Sequence, residues 1–235
     1  ACNPPLDPAR RGPGYGSGIH TAFSHHVDIG GAGADANIIS NADWDGINVY
    51  IVSDNNVLGN EISNVVRSGV YLADILGAVV EGNDIDGTAN WFGIDVATSD
   101  NVTVNNNIIN HTHLSGINLT SLTGTAAVGG NTIDNAGWHG IRSISNSDIH
   151  FANNIIRQTD GDGILVKDST NAGGTTTTIL GNVIIGAFTG AVPDGSGISV
   201  YSSSHVVADN NFIADTEWDG IRFYEGADVS ASGNQ

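Results

Sequence analysis

The segment Ser115–Ile133 reads SGINLTSLTGTAAVGGNTI, and the same layout returns at His139–Ile156 as HGIRSISNSDIHFANNII. In both segments a Gly-Ile pair opens a run in which apolar and polar residues alternate, and an asparagine follows with an isoleucine two residues beyond it. Alternation with a period of two is typical of a half-buried β-strand. The segment therefore predicts short strands inside a unit that repeats.

This unit recurs along nearly the whole chain. Its first column, the register glycines, consists of Gly18, Gly46, Gly69, Gly93, Gly116, Gly140, Gly163, Gly197 and Gly220. Six of the eight spacings between them are 23 or 24 residues. The second column usually follows fourteen residues later and consists of Asn37, Asn60, Asn83, Asn107, Asn131, Asn154, Asn182, Asn211 and Asn234. Such a unit holds about three short strands and cannot bury its own apolar face, so we expect each strand to pair with its equivalent one rung on.

Composition supports an all-β fold. The sequence contains 26 Ile and 20 Val against 9 Leu, and β-branched residues favour pleated surfaces. The shortage of leucine argues against a solenoid of leucine-rich repeats. We predict a single-stranded parallel β-helix, a solenoid of about nine rungs of about 23 residues with isoleucine and valine stacked inside. We expect the column asparagines to adopt left-handed backbone geometry and to bond to one another, and the register glycines to form the other sharp corner.

The two columns resemble the right-handed parallel β-helix repeat family, which includes pectate-lyase-like enzymes, carbohydrate-binding and sugar-hydrolase repeats and, more distantly, mannuronan C5-epimerases. The resemblance covers about residues 17–234 and implies a right-handed coil. The shared positions are core and corner residues, so the resemblance predicts the fold more sharply than the function. The Asp-Pro-His-Glu motif expected in the epimerases is absent from the sequence, where His25 and His26 precede Val27 and Asp28. No epimerase residue is carried over.

The repeat also predicts the domain organisation. We expect one β-helical domain over residues 17–235, preceded by an irregular lead-in over residues 1–16 that is rich in Pro, Gly and Arg. Extra residues relative to the repeat predict two insertions, at about residues 167–176 and 185–196. Insertions in a solenoid project from one face and often wall a binding site, although tolerated surface growth would give the same pattern.

The chain is strongly acidic, with 7 Lys and Arg against 25 Asp and Glu and a formal net charge of −18. Such a surface cannot neutralise a row of phosphates, so we exclude nucleic acid as a partner. No apolar run approaches the roughly 20 residues that span a bilayer, which argues against membrane insertion. The single cysteine, Cys2, excludes an internal disulfide scaffold and cysteine zinc sites. These features are typical of a secreted or cell-surface protein.

The tryptophans indicate a shared surface. All four, Trp44, Trp91, Trp138 and Trp218, lie two residues before a register glycine, and the cations Arg67, Arg142, Lys167 and Arg222 lie between two before and four after one. Flat aromatic faces stack on sugar rings, and cations pair with sugar carboxylates. We therefore predict a polysaccharide-binding groove whose substrate-binding candidates are Trp44, Trp91, Trp138, Trp218, Tyr50, Tyr71, Arg67, Arg222 and Tyr224. A tryptophan ladder that only shields the corner is the alternative.

Candidate catalytic residues lie on the same side of the repeat. His139 and Asp162 each precede a glycine on successive rungs, which would stand about 5 Å apart as a base and the group that orients it. Arg142 lies nearby, and Lys167 and Tyr201 occupy equivalent positions beside the insertions. A lyase or epimerase acting on a uronate polymer needs a base for the C5 proton, a cation beside the carboxylate and an acid. These five residues are the catalytic candidates.

Three alternatives stay open. Acidic pairs such as Asp43 with Asp45 and Asp160 with Asp162 could bind Ca2+ or act as the paired carboxylates of a glycosidase. A non-catalytic glycan-binding protein would use the same groove without the chemistry. A structural or adhesive surface protein would stack end to end, as a homo-oligomer, into filaments or a sheath, and the absence of a recognisable catalytic motif favours it.

Overall fold

The computed structural model describes residues 16–31, 33–171, 174–187 and 195–235. In these residues the chain forms 24 β-strands and one short 3-10 turn, Gly33–Asp35, so the fold is all-β as predicted. The expected lead-in lies outside the described residues except for Gly16, and so do residues 172–173 and 188–194 of the two expected insertions. None of the described segments forms a helix long and apolar enough to cross a membrane.

The strands, numbered in chain order, form two parallel hydrogen-bonded sheets of 16 and 8 strands. Because β1 and β3 continue from one face of the coil to the next, we describe the larger sheet as a first and a second sheet and the smaller one as the third. The first sheet contains β1 (Ile19–Gly30), β3 (Ile47–Leu58), β5 (Val70–Ala73), β8 (Ile94–Ala97), β11 (Ile117–Thr120), β14 (Ile141–Ile144), β17 (Ile164–Lys167), β20 (Ile198–Tyr201) and β23 (Ile221–Tyr224). The second contains the latter halves of β1 and β3 with β6 (Leu76–Glu81), β9 (Asp100–Asn105), β12 (Thr123–Gly129), β15 (Ile149–Ala152), β18 (Thr177–Leu180), β21 (Ser204–Asp209) and β24 (Ala227–Ser232). The third contains β2 (Ile38–Ser40), β4 (Glu61–Val65), β7 (Asp84–Thr88), β10 (Ile108–Thr112), β13 (Thr132–Ala136), β16 (Ile155–Thr159), β19 (Val183–Ala187) and β22 (Phe212–Ala214).

Each strand pairs in parallel with its equivalent one rung away, as the repeat predicts. Ile117 on β11, for example, pairs with Ile94 on β8 and with Ile141 on β14. The parallel β-helix is therefore confirmed. The third sheet has eight strands among the described residues, so the chain completes about eight full turns rather than the nine rungs expected.

Aligned isoleucine, valine and leucine side chains fill the interior. Residues one and three positions after a register glycine point inward, as Ile117 and Leu119 do, and both are fully buried. The equivalent residues above and below them, such as Ile94 and Ile141, are also fully buried and extend the same stack. Burying one such side chain stabilises the fold by about 1.5 to 3 kcal/mol. Repetition of this contribution along the coil supplies the main driving force for folding.

The column asparagines bond to one another along the coil, as expected. The side-chain amide of Asn107 donates to Oδ1 of Asn131 at 3.0 Å, and that of Asn131 donates to Asn154 at 2.9 Å. The expectation that these asparagines are left-handed is wrong. The left-handed residue is the one before, as at Asn106 with φ 55° and Gly130 with φ 63°. That turn points the following asparagine inward. There its side-chain amide donates both to the asparagine of the next rung and to a backbone carbonyl group, as Asn107 does.

Most of the described register glycines are needed for close approach between the first and third sheets and not for a left-handed backbone. None of the described register glycines has a positive φ. A Cβ built on Gly116 would lie 2.5 Å from Cγ2 of Ile133 and 2.9 Å from the carbonyl oxygen of Gly140. The first and third sheets therefore meet tightly at this column, which places the residues on either side of each glycine close to the neighbouring rungs.

Candidate functional site

The outward side of the first sheet carries most of the residues that the sequence singles out. Side chains two and four positions after a register glycine point outward there, beside the column that lies two residues before the glycine. We call this surface, the outward side of the first sheet together with that column, the Trp-Arg face. Because each rung adds one strand to a parallel sheet, equivalent side chains on the face stand about 4.8 Å apart.

The predicted tryptophan column exists. The backbone N–H of Arg67 donates to the carbonyl oxygen of Trp44 at 3.0 Å, and that of Leu114 donates to Trp91 at 3.0 Å. The corresponding bond from Gly161 to Trp138 extends the same column along the coil. Trp91 and Trp218 keep 39% and 49% of their surface exposed. Residues far apart in the sequence are thus vertical neighbours, with aromatic surface left open to solvent.

Arginine side chains stack on these aromatic rings. The guanidinium carbon of Arg67 lies 4.4 Å from the ring centre of Trp44 and 4.5 Å from that of Trp91, so the cation is held between two indoles. The guanidinium of Arg142 lies 5.4 Å from the Trp138 ring. Cation-π contacts of this kind fix both partners and keep the arginine charged. The face therefore combines flat apolar surfaces with immobilised positive charges.

A second aromatic cluster surrounds Arg222. Its guanidinium carbon lies 5.3 Å from the ring of Tyr201, 5.5 Å from that of Trp218 and 5.9 Å from that of Tyr224. Tyr50, another predicted substrate-binding residue, stands near the opposite end of the sheet, where its ring meets Phe23 edge to face at 6.1 Å. The structure thus places the predicted binding residues on one surface but divides them along its length.

A row of polar side chains crosses the middle of the face. Asp95, Asn118 and Arg142 are register partners on the adjacent strands β8, β11 and β14. The amide of Asn118 donates to Oδ1 of Asp95 at 2.7 Å, and Nη1 of Arg142 donates to Oδ1 of Asn118 at 2.6 Å. Burial raises the pKa of the Asp95 carboxyl to about 6, although the bond from Asn118 opposes this shift. Burial also lowers the pKa of Arg142, which nevertheless stays a cation.

A second buried carboxylate, Asp45, lies at the edge of the face. It accepts a bond from the side-chain amide of Asn48 at 2.8 Å and from the backbone N–H of Ser68 at 3.1 Å, and Nη1 of Arg67 lies 3.6 Å away. Burial raises the pKa of Asp45, and these partners oppose the shift. Asp45 therefore joins the backbones of two rungs and anchors the arginine that the indoles enclose.

The predicted base and its orienting group do come together. Nδ1 of His139 lies 3.4 Å from Oδ2 of Asp162 and accepts the backbone N–H of Asp162 at 3.0 Å. Burial lowers the pKa of His139 to about 3, so the ring is neutral and carries its proton on Nε2. Oδ1 of Asp162 accepts the hydroxyl of Ser199 at 2.7 Å and the N–H of Ser196 at 2.9 Å. As arranged, both side chains hold neighbouring rungs together.

The other predicted catalytic residues are spread along two strands. Arg142 on β14 is the register partner of Leu165 on β17, while Lys167 lies two residues further along β17 and pairs with Tyr201 on β20. Lys167 is exposed, whereas Tyr201 is partly covered. Arg142 therefore belongs to the row with Asn118, and Lys167 and Tyr201 form the far end of the face.

The sequence interpretation missed the row of Asp95 and Asn118 as a unit with Arg142. All three residues lie two positions after a register glycine on successive rungs, so the spacing contained the signal. A search for alternating donors and acceptors along that outward column would have found it, because adjacent strands bring such positions within hydrogen-bonding distance through their side chains.

Short side chains flank this row on one side. The outward column four positions after each glycine reads, in register order, Tyr50, Ala73, Ala97, Thr120, Ile144, Lys167 and Tyr201. Its middle members are short and its ends are long. The polar row therefore lies in a strip, which we call the trough, between the column of Trp91 and Trp138 and the short side chains of Ala97 and Thr120.

Metal binding receives no support from the described part of the chain. There, no three or more His, Cys, Asp or Glu side chains are grouped in a way that could hold a metal ion. Of the acidic pairs considered for calcium, Asp45 bonds to Asn48 and Ser68, and Asp162 bonds to Ser196 and Ser199. These oxygen atoms already have protein partners.

Family assignment follows from the whole chain. Residues 14–125, 92–196 and 115–235 each match the family described as the right handed beta helix region, and together these matches span residues 14–235. The chain therefore belongs to the right-handed β-helix family. No curated protein matches the sequence.

Several solved structures share the fold. The mannuronan C-5 epimerase AlgE6 A-module of Azotobacter vinelandii is similar over 94% of this chain and 68% of its own, with 16% identity and a TM-score of 0.64. A variant of the periplasmic alginate epimerase AlgG is similar over 93% of this chain and 61% of its own, with 17% identity and a TM-score of 0.68. The catalytic domain of a GH87 alpha-1,3-glucanase is similar over 94% and 62%, with 12% identity and a TM-score of 0.52. At these identities the likeness shows the fold alone, and the chain spans less than two thirds of the last two structures.

Proposed function

We propose that this protein interacts with carbohydrate and binds a polysaccharide along the Trp-Arg face. The observation that carries the proposal is the stack of Trp44, Arg67 and Trp91 beside the polar row of Asn118 and Arg142. Indole faces stack on the apolar faces of sugar rings, and fixed amide and guanidinium groups bond to hydroxyl and carboxylate groups. Similar structures that are alginate epimerases or a glucanase support this choice of ligand.

Charge supports an acidic polysaccharide in particular. Of the five Lys and Arg residues in the described chain, four lie on the Trp-Arg face, and only Arg157 lies elsewhere, on β16. The rest of the molecule is dominated by carboxylates, because the net charge is −18. An anionic chain would be repelled by the other surfaces and attracted only here. A uronate polymer, met outside the cell or at its surface, is the ligand that fits best.

Cleavage or epimerisation of that polymer is the finer proposal. Arg142 is suited to pair with a uronate carboxylate, because it is fixed by Asn118 and by the Trp138 ring. Lys167 and Tyr201 would supply proton donors at the far end of the trough. His139, with Asp162, would act as the base only after it exchanges its bond to the Asp162 backbone for one to the substrate. Binding therefore has stronger geometric support than catalysis.

Binding is tested by affinity electrophoresis and titration calorimetry with alginate, pectate and neutral dextran. The variant Trp218→Ala removes the most exposed indole of the face and should weaken uronate binding by about tenfold, since such contacts contribute about 1 to 2 kcal/mol. Phe212→Ala is the matched control, because Phe212 is similarly exposed on β22 of the third sheet and should bind as the unmodified protein does. Failure of the unmodified protein to bind any polysaccharide would overturn the proposal.

Catalysis is tested separately. A lyase produces unsaturated uronates that absorb ultraviolet light, and an epimerase changes the sugar composition seen by proton NMR. Arg142→Ala should abolish either signal while circular dichroism shows an intact β-helix. If purified protein changes neither alginate nor pectate, the catalytic branch is removed and a non-catalytic binding protein is left.

A further inference from the structure

Asp95, Asn118 and Arg142 form a continuous hydrogen-bonded chain beneath the trough. Asn118 donates to the Asp95 carboxylate and accepts from the Arg142 guanidinium, so its amide transmits polarisation between the two charges. Asp95 keeps only 4% of its surface exposed and Asn118 keeps 5%. Arg142 is less buried and forms the accessible end of the chain. A ligand in the trough would therefore contact Arg142, while Asp95 would act on it from below.

The surroundings of Asp95 contain both signs of charge. Tyr71 on β5 and Asn118 on β11 are its register partners, and Asp45, Arg67 and Arg142 are the charged groups that act on it from neighbouring rungs. Arg67 is shared with Asp45, which lies 3.6 Å away. Within the described ranges Arg142 has no such carboxylate in direct contact, and it is linked to Asp95 through Asn118. The charge of Arg142 is thus compensated by one carboxyl group at a distance.

We propose that Asp95 sets how strongly the Trp-Arg face attracts an acidic polysaccharide, by compensating the charge of Arg142 through Asn118. When the carboxyl group is ionised, the row is close to neutral and a sugar carboxylate placed on Arg142 also meets a second negative charge beneath it. When the carboxyl group is protonated, the full positive charge of Arg142 is available to the sugar. This inference rests on the proposed binding of a uronate polymer.

The direction of the pH dependence follows from the chemistry of this row. Burial raises the pKa of Asp95 to about 6, so the group changes charge in a range where uronate carboxylates stay ionised. Binding should therefore be tighter below this value and weaker above it. At separations of several ångströms in a partly buried site, one like charge weakens binding by about tenfold or more. A neutral polysaccharide carries no charge for Asp95 to repel, so its affinity should not follow Asp95.

The test compares binding at about pH 5 and about pH 7.5, on either side of this pKa. Titration calorimetry with alginate and pectate oligosaccharides should show the unmodified protein binding about tenfold more tightly at the lower pH. Asp95→Asn keeps the shape and the acceptor for Asn118 but cannot ionise. It should bind at the higher pH as tightly as the unmodified protein does at the lower pH. Only this variant separates the effect of Asp95 from that of any other group that changes charge between the two pH values.

Two further variants complete the design. Asp84→Asn is the matched control, because the Asp84 pKa is also raised by burial but its side chain lies on β7 of the third sheet. It should leave the pH dependence unchanged. Arg142→Gln should weaken uronate binding at both pH values and remove most of the difference between them.

The outcomes distinguish the two proposals. If the unmodified protein binds no uronate at either pH, the proposed function itself fails. If it binds uronate but Asp95→Asn keeps the full pH dependence, the role of Asp95 is wrong and the binding face stands. If dextran affinity follows Asp95 as uronate affinity does, Asp95 acts on the shape of the trough and not on charge, which also overturns the inference.

Discussion

Asp95 on the Trp-Arg face and His139 beside it, both buried, respond to pH in opposite directions. The pKa of Asp95 is raised by burial from 3.8 to about 6, so its ionisation lowers the stability of the folded chain as pH rises between these values. The pKa of His139 is lowered from 6.5 to about 3 by burial and by Arg142, so stability falls as pH drops between these values. Between about pH 4 and pH 6 the two contributions oppose each other, and we expect a shallow stability profile there.

Replacing Asp95 should leave His139 as the main contributor of the pair to the pH dependence of the free energy of unfolding. At neutral pH the Asp95→Asn variant loses a buried carboxylate whose pKa is raised to about 6, and its free energy of unfolding should rise by about 3 kcal/mol. Near pH 4 the Asp95 carboxyl group of the folded unmodified protein is protonated and therefore uncharged, like the amide of the variant, so the two stabilities should converge. Urea denaturation followed by tryptophan fluorescence at successive pH values measures the effect. Parallel profiles for the variant and the unmodified protein would contradict it.

At the scale of the structural element, each rung is defined by where the chain must come close to itself. Gly116 is one such place, since a Cβ there would lie 2.5 Å from Cγ2 of Ile133 and 2.9 Å from the carbonyl oxygen of Gly140. The carbonyl belongs to the backbone and cannot turn aside. The first and third sheets would have to separate at this rung, which would loosen both isoleucine packing and the strand pairing above it.

The variant Gly116→Ala should therefore lower the free energy of unfolding by about 2 to 3 kcal/mol through overpacking. Gly220→Ala is the matched control in the same column, because no atom lies within 4 Å of the Cβ position at Gly220 and its φ is not positive. That variant should be neutral or stabilising by up to about 1 kcal/mol, since alanine restricts the unfolded chain. Thermal denaturation of both variants checks the pair, and equal losses would show that the column does not act through close approach.

The sequence predicted the rung but not the reason for each of its residues. Gly116 and Asn131 repeat with a period near 23 residues, and any chain with that period must stack equivalent strands to bury its isoleucines. The left-handed corner was not predictable from the asparagine column, because Asn106 at one rung and Gly130 at the next adopt the same φ. Because two different residue types adopt this conformation, no single residue type recurs at that position of the repeat.

The candidate site was predictable in outline only. The tryptophan column follows from spacing, and in the structure its members occupy one column, although other residues such as Arg67 and Leu114 stand on the rungs between them. The spacing does not predict which side chains contact one another. Arg67 lies between Trp44 and Trp91, and Arg142 reaches the Asn118 amide instead of the residues grouped with it by sequence. Those choices depend on side-chain rotamers and on how deeply each neighbour is buried, which a periodic pattern does not record.

The whole molecule is a rod with an uneven charge distribution. The Trp-Arg face holds four of the five cations in the described chain, while the third sheet carries acidic side chains such as Glu61, Asp84 and Asp86 on its outward side. An approaching anionic polymer would be turned toward the cationic face by this field. The net charge of −18 also lowers the stability of the folded chain, because carboxylates that repel one another are held close in the compact coil and move apart when the chain unfolds.

Salt should therefore stabilise the folded protein at neutral pH. Raising sodium chloride from about 0.01 to about 0.5 M shortens the screening length from about 30 Å to less than 10 Å, which removes most of the repulsion between carboxylates on different rungs. We expect the melting temperature to rise by about 5 °C, as about 1 to 2 kcal/mol would produce in a chain of this size. The control is the same titration near pH 4.3, the isoelectric point, where the net charge is close to zero and the rise should disappear. An equal rise at both pH values would show that salt acts through apolar burial instead, and the charge of the rod would then have no measurable effect on its stability.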